Sequence, residues 1–508
     1  MEKYDIVIVG SGLGGLVCAT ILGKRGYKVC ILEKNKQIGG NLQTFVRERV
    51  IFDSGVHYLG GLLPGQNLYQ IFKYLGIMDD LKLQRMDMDA FDIFLLGNDD
   101  KEYRIAQGYD NFIEQLSKDF PEERHVIEQY CAKMLEICEQ FPLYRLRDGS
   151  YFERIDALEM DTKAYIETLT SNEKLQAVLG GNNALYAGVG GKTPLYVHAL
   201  VVNSYIESSW RCVDGGSQIA RLLNKKIREY GGEIKRNRKV VKLVEAEGKI
   251  QYAELENGER VHGSHFISNA HPVNTMEMVE SDLIRHAYKS RLKSLENSIS
   301  TLLVNVVFKK DSYRYINSNY YYCNDYRNIW NETAYKVEDW PTSFAVFFSA
   351  SSKSDVYADG ATLMAYMRYE EVAPWAGTFN TVGHENDRGE SYRDFKREKA
   401  EKLIDLVETK FPGLREHIQS YYVATPLSFR DYIGTDDGSM YGIAKDYKAP
   451  WKTFISPRTK IPNLLLTGQN INLHGILGVS VSALVTCFEF VDRKELIDEI
   501  RNAGKMEH

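Results

Sequence analysis

The chain opens with a feature that few folds can accommodate. The apolar run Ile6–Val9 stops directly at Gly10, and Gly12 and Gly15 complete the spacing G-x-G-x-x-G within YDIVIVGSGLGG. A buried strand hands over to a helix, predicted from Leu13 to Arg25, and the missing side chains permit a tight turn, close backbone approach to a pyrophosphate, and close packing of helix on strand. The helix directs its positive N-terminal end at that phosphate. Gly26 ends it, and Lys28 to Leu32 reads as a second strand finishing at Glu33. An acidic residue about 20 positions after the first glycine is the acceptor that a ribose 2′-hydroxyl needs. Ser11, Leu13 and Gly14 within the loop, and Lys34 beside Glu33, belong to the same expected site. Glu33 also argues against a 2′-phosphate. The expected ligand is therefore an adenosine dinucleotide without that group, on a doubly wound α/β unit.

At 508 residues the chain exceeds what one core usually organises, so two domains are expected. A formal net charge of −6 gives no general attraction to nucleic acid or anionic lipid. The basic run Arg221 to Lys239 reads as a solvated helix face. Seven cysteines without C-x-x-C make no disulfide framework and read as reduced core thiols. No metal cluster is expected. With a strand starting near residue 4 and no apolar stretch of the ~20 residues that span a bilayer, the expectation is a cytoplasmic protein that touches a membrane at most peripherally.

Further along, Gly39, Gly40 and Asn41, and then Phe52 to Tyr58 (FDSGVHY), read either as more backbone lying against the ligand or as a plain turn. From about Gly65 to Glu207 the pattern is mainly helical. Gly215 and Gly216 precede a predicted helix, Ser217 to Tyr230, followed by strands over Glu233 to Val244, Lys249 to Leu255 and Arg260 to Ser268. Residues 300 to 370 read as aromatic-rich strands, either lining an apolar cavity or forming an ordinary half-buried sheet. A helix from Tyr392 to Phe411, a loop holding Thr425-Pro426 and Tyr441-Gly442, a strand Asn463 to Thr467 and a helix Val479 to Val491 follow.

These separated blocks resemble, in order and over nearly the whole length, the FAD-dependent phytoene desaturase, carotenoid isomerase and retinol saturase group of amine-oxidase-like flavoproteins. The blocks are the dinucleotide fingerprint, GGNLQTFVRERVIFDSGVHYLGG, VDGGSQIARLLNKKIREYGGEI, FISNAHP, ATPLSFRDYIGTDDGSMYGI and LLLTGQNINLHGILGVSVSAL. The resemblance implies a Rossmann-type FAD domain built from residues 1–75, 208–285 and 451–508. A mainly helical substrate-domain segment over 76–207 and a substrate domain with an antiparallel sheet over 286–450 complete it. It also implies FAD contacts at Gly40, Asn41, His57, Val240, Asn269, Gly468, Gln469 and Asn470. The helix end at Gly478 and Val479 would face the flavin, where its dipole stabilises the anionic reduced ring. Three positions depart from the family pattern. Asn41 stands where relatives often carry Arg, Asn470 where an acid often meets the ribityl chain, and His271 where an acid often follows Asn-Ala.

The implied activity is oxidoreduction at a carbon–carbon double bond of a hydrophobic conjugated polyene, as saturase, desaturase or isomerase. The chemistry resides in the flavin, and the protein supplies position, dryness and a proton route. His57, Tyr58 and His474 are the candidate groups beside the flavin, the imidazoles because they exchange protons near neutral pH. A purely structural role is the competing reading for both histidines. With one dinucleotide fingerprint, NADH or NADPH would act only as a transient reductant. Two other readings share the fold: an amine-oxidase-like flavoenzyme acting on a small amine, and a non-enzymatic binder of prenylated protein like the Rab GDP-dissociation inhibitors.

Overall fold

The computed structural model describes residues 3–149, 156–383 and 386–505. The opening strand, Lys3–Val9, lies inside an eight-stranded sheet. It pairs in parallel with Val29–Leu32 on one side and with Arg260–Ser268 on the other, and Glu233–Lys235 extends the sheet beyond Val29–Leu32. Strand Arg260–Ser268 divides its pairing along its length. Its first half pairs antiparallel with Lys249–Leu255, and its last three residues pair in parallel with Leu464–Leu466. Residues more than 400 positions apart in sequence therefore meet beside the glycine turn. The run predicted as one strand over Glu233 to Val244 is two, Glu233–Lys235 and Val240–Ala246. The polar segment between them, with Asn237 at φ +53°, turns the chain from the parallel half of the sheet to the antiparallel hairpin.

Helix Leu13–Lys24 is buried almost throughout, because Gly475–Cys487 lies against it. The Cys18 thiol reaches the Ala483 carbonyl at 3.7 Å and the Thr467 hydroxyl at 3.6 Å. Gly15 permits the seating of this helix on the sheet: a Cβ there would sit 2.4 Å from the Gly10 carbonyl oxygen. The helix predicted from Val479 to Val491 starts four residues earlier, since Gly475, at φ +74°, makes the turn into it, and a further helix not predicted from the sequence, Arg493–Ala503, follows.

A second, seven-stranded sheet runs in the order Ile418–Ala424, Ser300–Phe308, Gly360–Met367, Ser343–Phe348, Asn319–Cys323, Asp92–Leu96 and Glu102–Ile105. Alternation sorts its side chains. Leu303, Tyr321, Phe347 and Met364 share a core with helices Arg124–Glu139 and Leu195–Glu207. Leu302, Val304, Val346 and Leu363 turn the other way, onto helix Glu390–Glu408. The mainly helical stretch thus also contributes two strands to this sheet, and Asp92–Leu96 runs parallel to Asn319–Cys323. Its five residues are all buried, which hides the alternation that marks a half-exposed strand. The expected loop after residue 424 instead contains helix Pro426–Ile433, started by a capping box on Thr425 with proline in the first turn. All seven cysteines are buried and free, as expected.

Leu302 is fully buried in strand Ser300–Phe308, the second strand of this sheet. Replacing Leu302 with Ala is expected to cost about 2–5 kcal/mol of stability, read as a lower urea midpoint. An unchanged midpoint would show that this sheet does not carry the core described.

Candidate functional site

Between the two sheets lies a cavity of about 690 Å³. One arm is backbone-rich. Gly10, Gly12, Leu13, Gly14, Glu33, Lys34, Gly40, Asn41, Val240, Asn269, Gly468, Gln469, Asn470, Gly478 and Val479 line it. Gly10 (φ +92°) and Gly468 (φ +100°) hold conformations that side-chain-bearing residues avoid. Across the turn, a Cβ on Gly12 would fall 2.6 Å from the Asn269 amide nitrogen, and one on Gly14 2.6 Å from its oxygen. The glycines therefore make room for Asn269 as well as for a ligand. Ser11 and Gly15 stand behind the wall. The Ser11 amide and hydroxyl donate to Glu33 Oε2 at 2.9 and 2.6 Å, and the Asn35 amide donates to Oε1 at 2.7 Å. This holds the Glu33 carboxylate in place while lone pairs remain for a ribose.

Two helices, Leu13–Lys24 and Gly475–Cys487, start on this cavity, and neither has a side-chain cap. Their first amides and positive dipole ends are free to meet negative charge. A cradle of glycines, a buried acidic acceptor and two uncapped helix ends fit an extended adenine dinucleotide. The basic run read as a solvated helix face also reaches this site, because its last members, Arg238 and Lys239, line the cavity.

The other arm is apolar and aromatic, walled by Tyr205, Leu303, Tyr321, Phe347, Met364 and Phe429. His57 stacks flat on Phe347, with ring centroids 4.2 Å apart. Burial, with the Arg211 guanidinium in reach, pushes its pKa down to about 3. His474 donates from Nε2 to the Leu185 carbonyl at 3.1 Å, and burial lowers it to about 4. Neither imidazole keeps the near-neutral titration that made it attractive in the sequence. His271 acts locally, since its Nδ1 accepts the Val273 amide at 3.3 Å and caps helix Pro272–Glu277. Asn470 is engaged in part, because its Oδ1 accepts the Ile443 amide at 2.9 Å.

Tyr58 is placed differently. Its hydroxyl lies 3.0 Å from Asp92 Oδ2 and 2.9 Å from the Tyr321 hydroxyl, and both tyrosines line the cavity. Asn182 and Asn319 donate to the two Asp92 oxygens at 3.0 and 2.8 Å. Burial raises the Asp92 pKa to about 7 despite these hydrogen bonds, and raises Tyr58 well above the ordinary phenol range. Sequence reasoning missed Asp92. Its signal was a carboxylate within the apolar run AFDIFLL, a position that is costly unless the group is hydrogen-bonded. No group of three or more His, Cys, Asp or Glu able to hold a metal occurs among the described residues.

A family model described as an NAD(P)-binding Rossmann-like domain matches residues 8–75. The all-trans-retinol 13,14-reductase of Homo sapiens is 26% identical over 99% of this chain and 87% of its own length. The chloroplastic prolycopene isomerase of Daucus carota is 24% identical over 87% of this chain and 72% of its own. Among solved structures, an oxidoreductase from Methanosarcina mazei matches with a TM-score of 0.64 at 15% identity, covering 94% of this chain and 98% of that one. Putrescine oxidase bound to putrescine matches at 0.61 and 13% identity, covering 98% and 99%. The Rab GDI of Plasmodium falciparum matches at 0.51 and 12%, covering 96% and 97%. At such identities the structures establish the fold alone, and they include both an enzyme and a Rab GDI. The relatives matched by sequence over most of their length are more specific, and the chain is a homologue within the group of phytoene desaturase-, carotenoid isomerase- and retinol saturase-like flavoproteins.

Proposed function

We propose that this protein is an FAD-dependent oxidoreductase that acts on a carbon–carbon double bond of a hydrophobic conjugated polyene. The observation that carries the reading is that the glycine-rich wall and the aromatic wall bound one and the same cavity. Glu33 would hold the adenosine ribose, the amides of helix Leu13–Lys24 the pyrophosphate, and the uncapped end of helix Gly475–Cys487 the flavin ring. When bound there, FAD supplies hydride exchange with a carbon of the substrate. NADH or NADPH is proposed as a transient reductant. The only G-x-G-x-x-G in the chain is already committed to the resident dinucleotide.

The remaining work falls to the chain's own residues. Leu303, Phe347, Met364 and Phe429 bind the polyene by apolar contact and keep water out. Saturating a double bond takes a hydride at one carbon and a proton at its neighbour. The proton route is Tyr58, with Tyr321 beside it and Asp92 behind. The tyrosine hydroxyl hands a proton into the cavity and Asp92 restores it. A carboxyl held near 7 is suited to that relay at neutral pH. Desaturation would run the same path in reverse. The amine-oxidase reading gains no specific support, because among the described residues no carboxylate lines the aromatic arm, Asp92 standing behind Tyr58.

Anaerobically reduced protein is expected to bleach the visible band of a substrate polyene as conjugation is lost. Tyr58→Phe should retain flavin but turn over about 10²–10⁴ times more slowly, and a wild-type rate in that variant would contradict the relay.

The raised pKa of Asp92 also has a sign. Between its ordinary 3.8 and about 7 the folded state binds the proton more tightly than the unfolded state. The stabilisation is therefore complete at low pH and lost as pH rises towards 7. His57 and His474, held neutral when folded, work in the opposite sense as pH falls below 6.5. For Asp92→Asn, the slope of stability against pH between 4 and 7 should become more positive by up to about 1.4 kcal/mol per unit. Parallel wild-type and variant curves would show that Asp92 does not bind its proton more tightly in the folded state.

A further inference from the structure

A second cavity, of about 380 Å³, adjoins the first. Tyr441, Gln469 and His474 line both. The Tyr441 and His474 rings lie 4.5 Å apart, and each is held on neighbouring backbone by one hydrogen bond, Tyr441 on the Ala184 carbonyl at 3.1 Å and His474 on that of Leu185. The partition between the cavities is thus formed by this ring pair together with Gln469.

The character of this cavity is different from that of the first. Lys445 and Arg368 line it, and neither forms an ion pair among the described residues, Arg368 being within hydrogen-bond reach of the Tyr335 hydroxyl. Lys445 gives one hydrogen bond, to the Thr453 carbonyl at 3.1 Å, and its desolvation lowers its pKa to about 8. Arg368 lies over the Tyr335 ring, and its Nε has no hydrogen-bond partner. The other charges on the wall are partly engaged. Lys192 pairs with Glu296, Asp437 accepts the Asn297 amide at 3.0 Å and the Ser439 backbone amide at 3.1 Å, and Glu370 is exposed to water. Two cations without ion pairs beside a passage lined by Tyr441, His474 and Gln469 suit a single negative charge on the end of a hydrophobic chain. The acids on the same wall disfavour a multiply charged phosphate.

We propose that this cavity binds the carboxylate head of an amphipathic substrate whose unsaturated chain passes the Tyr441–His474 partition into the apolar arm of the main cavity. The inference rests on the reading of that arm as the polyene site and names the substrate class as an unsaturated carboxylic acid.

The test uses the holoprotein and two probes of equal chain length, hexanoate and 1-hexanol, titrated by calorimetry. Wild type should prefer hexanoate by at least about tenfold, the worth of one charge-assisted hydrogen bond. Lys445→Met and Arg368→Gln should each remove most of that preference, and Lys445→Arg, which keeps the charge, should restore it. Retained flavin and near-ultraviolet dichroism check that each variant is folded. Equal binding of the two probes to wild type, or a preference that survives both neutral substitutions, would overturn the proposal. Loss of polyene absorbance is followed on the same preparations. If hexanoate discriminates but no polyene is altered, the carboxylate site stands and the polyene reading fails. If polyenes are altered but hexanoate does not discriminate, the carboxylate inference fails alone.

Discussion

The architecture depends on two helix N-termini converging on one cavity with nothing of their own to satisfy them. Each helix start leaves amides without intrahelical partners, and here neither Leu13–Lys24 nor Gly475–Cys487 has a side-chain cap. The two helices reach that position only because strand Arg260–Ser268 pairs with the first strand and with Leu464–Leu466. Gly15 then lets the first helix close onto the sheet. The ends of the chain meet at the site, and the long middle of the chain builds what the site faces.

That middle is a sheet whose two sides serve different ends. One side packs on helix Glu390–Glu408, and the other presents aromatic residues to the main cavity. Inside, burial controls the chemistry. It pushes histidines towards neutrality and raises the pKa of Asp92 to about 7, so that in the proposed relay a carboxyl backed by two asparagines takes the role that imidazole would fill in water.

How much of this was legible follows from the range of each interaction. The glycine turn, Glu33 and the first two strands are local, and the sequence shows them within a residue or so. Helix Gly475–Cys487 was visible, but its start was misplaced because Gly475 read as loop rather than as the turn into the helix. Strand Asp92–Leu96 was lost inside a helical stretch, since a strand buried on both faces carries no period. Asp92 therefore could not be joined to Tyr58, although both residues were in plain view. The two histidines were judged on their behaviour in water, and only the fold reveals their burial. Lys445 lies in an ordinary polar segment, and nothing local marks it as facing a cavity. Arg238 and Lys239 belong to a run that is otherwise a solvated face, and only the turn after Lys235 brings them to the site.

The central claim is that the two uncapped helix ends and the Glu33 pocket together hold one intact FAD. Its most direct test is a titration of flavin-stripped protein with FAD, FMN and riboflavin, followed by flavin fluorescence and by the stoichiometry retained on gel filtration. The account predicts one FAD per chain, with FMN and riboflavin held far more weakly because they lack the adenosine that Glu33 and the first helix engage. Equal retention of FMN, or no retention of any flavin, would contradict it.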